Sequence, residues 1–376
     1  MLDAVKRLWT LRRDDRALAR TLDHLRHQAP VPVFWLFGKT QSGKTSVIKY
    51  LTGAAEAEIG EGFRPCTRTS RVYQFPEPDA PLVSFLDTRG LDEPGYDAAE
   101  DIAAFNDRAH LVLVTVRLLD HALENLLAQL KKVRAARPGR PVVLAVTTLH
   151  EAYPQQQHPA ELPEAARRSL EEQERRFAGL VDAVVPIDLT KTEEGFTDPN
   201  YGGERLKQLL LDHLPEAYRQ TLLALDRATH EFRDRYEREA LPVILGYSGL
   251  AATAGAVPIP WLDLLILPGI KSQMVAHLAR RSGRPLDGRR FAELASALGL
   301  GLLARQALRE VVKLVPYVGS VAGAALAAGS TYALGQAYLY YERSTRQGHV
   351  PDAAELRRVY QEQLSKAEQM WKRPPG

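Results

Sequence analysis

Cysteine is almost missing from these 376 residues. Cys66 stands alone, which excludes an intrachain disulfide and a cysteine-based metal cluster and makes a reducing compartment the default. A surplus of one charge is missing too. The formal net charge is +3, too small an excess to argue for nucleic acid, and no nucleic-acid partner is expected. The first residues, Met1-Leu-Asp-Ala-Val-Lys-Arg7, lack the apolar core of a secretory signal. The ten histidines form no metal-binding spacing, and the Gly/Ala-rich region holds no strict repeat. A chain of this length is expected to fold as two domains, each able to bury a sizeable core.

What is present is centred on Val31-Pro-Val-Phe-Trp-Leu-Phe37 and the eight residues after it, Gly38-Lys-Thr-Gln-Ser-Gly-Lys-Thr45. The first run reads as a buried strand. The second matches G-x-x-x-x-G-K-[ST], a loop that cradles polyphosphate. Gly38 and Gly43 allow the tight turn, and the backbone N–H groups from Gln41 to Ser46 can point at an anion. Lys44 supplies a point charge for the β- and γ-phosphates, and the Thr45 hydroxyl can ligate Mg²⁺. An apolar helix follows, carrying Val47, Ile48 and Leu51.

Further strands are expected at Arg71–Phe75 and Leu82–Leu86, as a hairpin, then at Leu111–Val116, Val142–Val146 and Val184–Ile187. A helix is expected from Asp120 to Arg137. The hairpin ends in Asp87-Thr-Arg-Gly90: a carboxylate at a strand tip suits Mg²⁺, and a glycine N–H suits a γ-phosphate. The alternation predicts an α/β fold, a doubly wound and mostly parallel sheet with ligand loops at the strand ends.

Residues 31–215 resemble the Era/TrmE/septin-like P-loop GTPases in the order of these elements. The resemblance implies GTP and GDP as ligands, Mg²⁺ as cofactor, and hydrolysis that is slow without an activating protein or a second copy of the chain. It implies that Thr67, with Thr69 as the second choice, closes on the metal, and that Asp87 and Gly90 act as in the family. Gln41 stands where potassium-stimulated relatives carry asparagine, which implies K⁺ as a further cation.

Two positions depart from the family. Its base-reading N-K-x-D or T-K-x-D is here Thr147-Thr148-Leu149-His150, and a neutral imidazole offers one acceptor where a carboxylate offers two. Glu151 would supply the carboxylate if the loop shifts by one residue. Leu91 follows Gly90 where some relatives keep a water-orienting glutamine. The departures leave open an NTPase of relaxed or ATP specificity, and a nucleotide-binding scaffold with little turnover.

The flanking segments differ in kind. Residues 1–28 read as an amphipathic helix, and 216–240 as a charged helical linker that ends at Leu241-Pro242. Residues 241–376 read as an all-α domain. Leu241–Ile270 carries one charge, Asp263, and the 28 residues Leu314–Tyr341 carry none. The second run is long enough to span a bilayer, yet its glycines, alanines and Pro316 also suit a buried helical hairpin. Arg280, Arg281, Arg289 and Arg290 lie between the two runs, which points to membrane lipid as a partner and to the inner face of the cell membrane. The pattern Val257-Pro-Ile-Pro-Trp-Leu-Asp263, then Lys271-Ser-Gln-Met274, resembles the YcjF-type helical domain of unknown function, implying a bacterial protein.

Overall fold

The computed structural model describes residues 23–26, 28–66, 70–88, 99–153, 156–190, 194–215, 218–223, 225, 235–256, 262–283 and 321–372. Expectations placed on Thr67, Thr69, Gly90, Leu91, the first 22 residues and the arginines at 289 and 290 fall outside them. By its internal contacts the chain divides into two units: residues 30–75 with 81–229, and residues 1–29 with 76–80 and 230–376.

In the first unit, the apolar runs become strands because β-branched and aromatic side chains fit a pleated, doubly covered surface. A seven-stranded sheet has the order β2-β3-β4-β1-β5-β6-β7. Its members are β1 (Val33–Phe37), β2 (Arg64–Pro65), β3 (Ser70–Phe75), β4 (Val83–Thr88), β5 (Leu111–Arg117), β6 (Val142–Thr147) and β7 (Ala183–Pro186). β4, β1, β5, β6 and β7 run parallel; β3 pairs antiparallel with β4, and β2 with β3. A short ribbon joins β8 (Asp188–Leu189) to β9 (Asn200–Tyr201). The helices are α1 (Lys44–Thr52), α2 (Glu56–Gly62), α3 (Ala99–Phe105), α4 (Glu124–Ala136), α5 (Glu164–Phe177) and α6 (Gly203–Asp212).

Register decides where chemistry can occur. Leu36 pairs with Asp87, Phe37 with Val114, and Arg117 with Thr147. The carboxyl ends of β1, β4, β5 and β6 therefore finish at one edge of the sheet, where an α/β fold holds its ligands. Beneath that edge the core is apolar. Trp35, Phe37, Leu113, Val114 and Leu144 are fully buried, and Trp35 stacks edge-on against Phe105 with ring centroids 5.4 Å apart. The Trp35 indole N–H has a polar partner, donating to Thr88 Oγ1 at 2.6 Å.

The helix expected from Asp120 starts only at Glu124. Asp120 N–H closes a turn onto the Arg117 carbonyl, and the Asp120 carboxylate receives Lys39 from the phosphate loop at 2.9 Å. Local turn chemistry there displaces the first helical turn.

The second unit contains α7 (Arg235–Ala256), α8 (Leu262–Arg281), α9 (Val321–Arg346) and α10 (Ala353–Lys372). The charged helix was expected to end at Leu241-Pro242; instead α7 runs through Pro242, and α8 through Pro268. A mid-helix proline costs about 3 kcal/mol. Burial of Val243, Ile244, Tyr247, Leu250 and Ala251, at about 1.5–3 kcal/mol for each large side chain, outweighs it. Leu25, from the first expected helix, is buried in the same core. Residues 76–80 are held there too: Glu77 pairs with Arg281 at 3.0 Å and Asp79 with Arg26 at 2.9 Å. No helix among the described residues is long and apolar enough to cross a membrane.

Candidate nucleotide site

The phosphate loop leaves β1 at Gly38, which is buried and cannot be replaced. A Cβ there would lie 2.4 Å from Thr115 Oγ1, 2.5 Å from the Thr115 carbonyl and 2.6 Å from Ser42 Oγ. Ser42 and Thr115, both buried, share a hydrogen bond of 2.7 Å between their hydroxyls. Thr115 is the polar interruption in Leu111-Val-Leu-Val-Thr-Val116, and it braces the loop from the neighbouring strand. The loop turns through two left-handed residues, Gln41 (φ 59°) and Gly43 (φ 91°). For Gln41 that conformation costs about 1–3 kcal/mol and persists only where the surroundings impose it. α1 then begins at Lys44, burying Val47, Ile48 and Leu51, and stops at Gly53 (φ 69°), whose N–H returns to the Lys49 carbonyl.

Lys44 folds back on its loop, donating to the carbonyls of Gly38 at 2.7 Å and Lys39 at 2.6 Å. Its ammonium also lies 4.0 Å from Asp87 Oδ1. The structure thus gathers Gly38, Gln41, Ser42, Gly43, Lys44 and Asp87 around one turn, with Thr45 exposed and Ser46 half-buried in the first turn of α1. The donors fit Mg²⁺ of the kind held by one or two protein oxygens and completed by water and phosphate: the Thr45 hydroxyl and the Asp87 carboxylate.

The neighbouring part of this edge is built by the segments that follow β6 and β7. Thr147 Oγ1 donates to the Ser42 carbonyl at 3.0 Å and lies 3.3 Å from the Val116 carbonyl, tying this loop to the phosphate loop. Its hydroxyl is committed to the protein, so Thr147 acts by position. Thr148 is left-handed (φ 54°), an outlier for a β-branched residue, and opens a 3₁₀ turn over Leu149–Ala152. The Thr148 Oγ1, and that of Thr190 in the next loop, are buried without a partner among the described residues.

His150 is not an isolated imidazole. Asp188, 1% exposed, accepts the His150 main-chain N–H on Oδ2 at 2.6 Å and meets the ring Nδ1 with Oδ1 at 2.7 Å. Burial pushes the Asp188 carboxyl above its ordinary range, and the bonds to His150 pull it back. Glu151, the neighbouring carboxylate, is paired with Arg117. Sequence reasoning missed Asp188, Thr115 and Asp120. The signal for Thr115 was a lone hydroxyl in an apolar strand. Asp188 followed an expected strand, but nothing local marked it as the partner of a residue 38 positions earlier.

The fold and this edge have the arrangement of a P-loop nucleotide-binding domain. Residues 33–148 match the family model described as 50S ribosome-binding GTPase, and residues 219–369 match that described as domain of unknown function (DUF697). No curated protein matches the chain. Among solved structures, the G domain of the T. maritima FeoB iron transporter is 17% identical, with 49% of this chain and 98% of that chain covered and a TM-score of 0.29. The translation elongation factor SelB from Methanococcus maripaludis, in complex with the GTP analogue GppNHp, is 17% identical over 49% of this chain, with a TM-score of 0.30. This chain spans only 33% of that factor.

Proposed function

We propose that the chain binds GTP with Mg²⁺ at the phosphate loop and hydrolyses it to GDP and phosphate, slowly without a partner, and that the helical unit responds to the nucleotide. One observation carries the reading: a glycine-dependent loop whose lysine bonds two loop carbonyls and lies 4.0 Å from a strand-tip carboxylate. Backbone N–H groups of the loop and Lys44 are the donors for the charge that builds on the β- and γ-phosphate oxygens. Bound Mg²⁺ would supply further neutralisation of that charge, held by Thr45 and Asp87 and, by the family resemblance, Thr67. Gly90 is assigned by the same resemblance to sense the γ-phosphate, and Gln41 to favour K⁺.

Calorimetry with GTP, GDP and ATP, with and without Mg²⁺, followed by phosphate release with and without K⁺, tests the proposal. Tight Mg²⁺-dependent GTP binding with slow release supports it. Absence of binding by any of the three nucleotides defeats it, and GTP binding without turnover would leave a scaffold.

A further inference from the structure

Resting on the reading of the phosphate loop as a nucleotide site, we propose that the base is read by a single acceptor, His150 Nε2, held in that role by Asp188. The consequence is a site for 6-oxopurine nucleotides that ignores the 2-amino group, so that inosine and guanosine triphosphates bind alike.

Place comes first. The Thr147 hydroxyl ties the β6 loop to the Ser42 carbonyl, so His150, three residues on, lies in the loop flanking the phosphate loop at the carboxyl edge of the sheet. Asp188 opens β8, just after β7, and its two bonds join that strand to the β6 loop through one residue. Both lie where a base attached to a phosphate-bound sugar would arrive.

Chemistry comes second. The His150 main-chain N–H can only donate, so Asp188 Oδ2 must accept. Oδ1 faces the ring Nδ1 at 2.7 Å, and beside a carboxylate the imidazole keeps its proton on that nitrogen. Nδ1 is then a donor to Asp188, and Nε2 carries the lone pair. Guanine and hypoxanthine share the N1–H that such an acceptor takes; only guanine adds the 2-amino donor. One lone pair serves the shared group and leaves nothing for the second.

Among the described residues, the neighbouring candidates are committed elsewhere. His158 lies close to Asp188, but its nitrogens are committed: Nε2 to the Asp198 carbonyl at 3.1 Å, and Nδ1 to the Tyr153 hydroxyl at 2.6 Å. Its ring is stacked on Tyr201 with centroids 4.4 Å apart. Glu151 is paired with Arg117. The His150 side chain keeps 30% of its surface exposed, against 2% for Asp188.

Asp188 is therefore a positioning residue, and its replacement has a distinctive effect. In Asp188→Asn the amide oxygen still accepts the main-chain N–H. The NH₂ group then faces ring Nδ1 and must donate to it, which moves the ring proton to Nε2 and turns the reader from acceptor into donor. A simple loss of structure would not alter preference among bases.

The test is competition calorimetry on the full chain with GTP, ITP, ATP and inorganic pyrophosphate. For the unmodified protein we expect GTP and ITP within about threefold of each other, because the one lone pair of His150 Nε2 serves the N1–H that both bases share. Asp188→Asn should lower the GTP-to-ATP affinity ratio about fivefold or more while pyrophosphate binds as before. The double variant His150→Asp with Asp188→Asn restores a two-acceptor carboxylate beside a neutral amide, and should favour GTP over ITP by about tenfold. A preference of tenfold or more for GTP over ITP in the unmodified protein overturns the proposal, and that measurement needs no variant to fold. An unchanged GTP-to-ATP ratio in Asp188→Asn, with pyrophosphate binding intact, also overturns it. Failure of GTP, ITP and pyrophosphate alike to bind is a separate result, which removes the phosphate-site reading itself.

Discussion

Thr147→Val removes one oxygen and keeps the shape of the side chain. In the structure that oxygen donates to the Ser42 carbonyl at 3.0 Å, with the Val116 carbonyl 3.3 Å away, and Thr147 is 5% exposed. A buried hydrogen bond is worth about 0.5–1.5 kcal/mol net, and a buried carbonyl left without its donor costs about 1–3 kcal/mol. The methyl group that packs on Gly43, 3.1 Å from where a Cβ would stand there, survives in valine. The expected destabilisation is therefore about 2 kcal/mol, with no cavity contribution, and the melting transition of the nucleotide-binding unit falls by about 4–8 °C.

The same bond holds the phosphate loop against the base loop, so part of that energy appears in binding. If half of it must be restored when nucleotide orders the loop, affinity for GTP falls about fivefold. Pyrophosphate should weaken by the same factor, because the disturbed element is the phosphate loop. Thr147→Ser keeps the hydroxyl and should recover affinity while losing some stability through the missing methyl. Calorimetry and thermal unfolding on the three proteins decide the matter. A valine variant that melts within a degree of the parent and binds GTP and pyrophosphate unchanged would refute the view that this hydroxyl organises the site.

Lys44→Ala should leave the fold intact and weaken triphosphate binding by about a hundredfold or more, since it deletes the side-chain cation that bonds the loop carbonyls; parental phosphate release by this variant would sink the active-site assignment. Asp87→Ala should lower GTP affinity in Mg²⁺ by about tenfold and change it little in EDTA; equal losses in both would show that the carboxylate has no metal role. Burial lowers the Lys271 ammonium to about 8, so between that pH and its ordinary value the unfolded chain binds more protons, and this group makes stability rise with pH through that window. Lys271→Met should accordingly melt higher than the parent at pH 7, by about 3 °C, with the gap closing by pH 10; a gap that stays constant across this range would contradict the burial assigned to Lys271. Alkaline carbonate should release the full chain from any membrane fraction, because the apolar residues described in α7, α8 and α9 already bury one another; retention in the pellet would show that lipid competes for them.

The α/β half was legible because its signals are local. An apolar run of five to seven residues punctuated by glycine or proline can hardly be anything but a buried strand, and every expected strand appears within two residues of its place. The order of loops then follows from chirality and crossover rules. What the sequence hid is pairing across distance. Lys39 finds Asp120, Ser42 finds Thr115, and His150 finds Asp188 only after the sheet has set the registers. His150→Asp by itself would not return a two-acceptor reader. With Asp188 2.7 Å away, that single change would put two carboxylates in contact, and one of them would have to take up a proton. The restoration has to be made at both positions.

The helical half shows why an uncharged run is an ambiguous signal. Glycine and alanine add little hydrophobicity per residue, but they set how closely two backbones approach. A Cβ on Gly255 of α7 would stand 2.7 Å from the Gly323 carbonyl of α9, and one on Gly335 of α9 would meet the Ile244 side chain at 2.6 Å. Small residues at these contacts let Ile244, Tyr247, Ala251, Leu334, Ala337 and Tyr338 close into one core. The same close approach serves helix pairs in lipid, so composition cannot distinguish the two settings. Several polar groups pair within the packing: Tyr247 and His277 share a hydrogen bond of 2.6 Å, Lys271 donates to Ser330 at 3.0 Å, and Tyr338 donates to Glu342 at 3.1 Å, while Glu342 Oε2 and Gln273 Oε1 are buried without a partner among the described residues. The two pairs that cross between helices, Tyr247–His277 and Lys271–Ser330, specify a helix register as well as satisfying their own atoms, and a uniformly apolar hairpin would have no comparable means of choosing one.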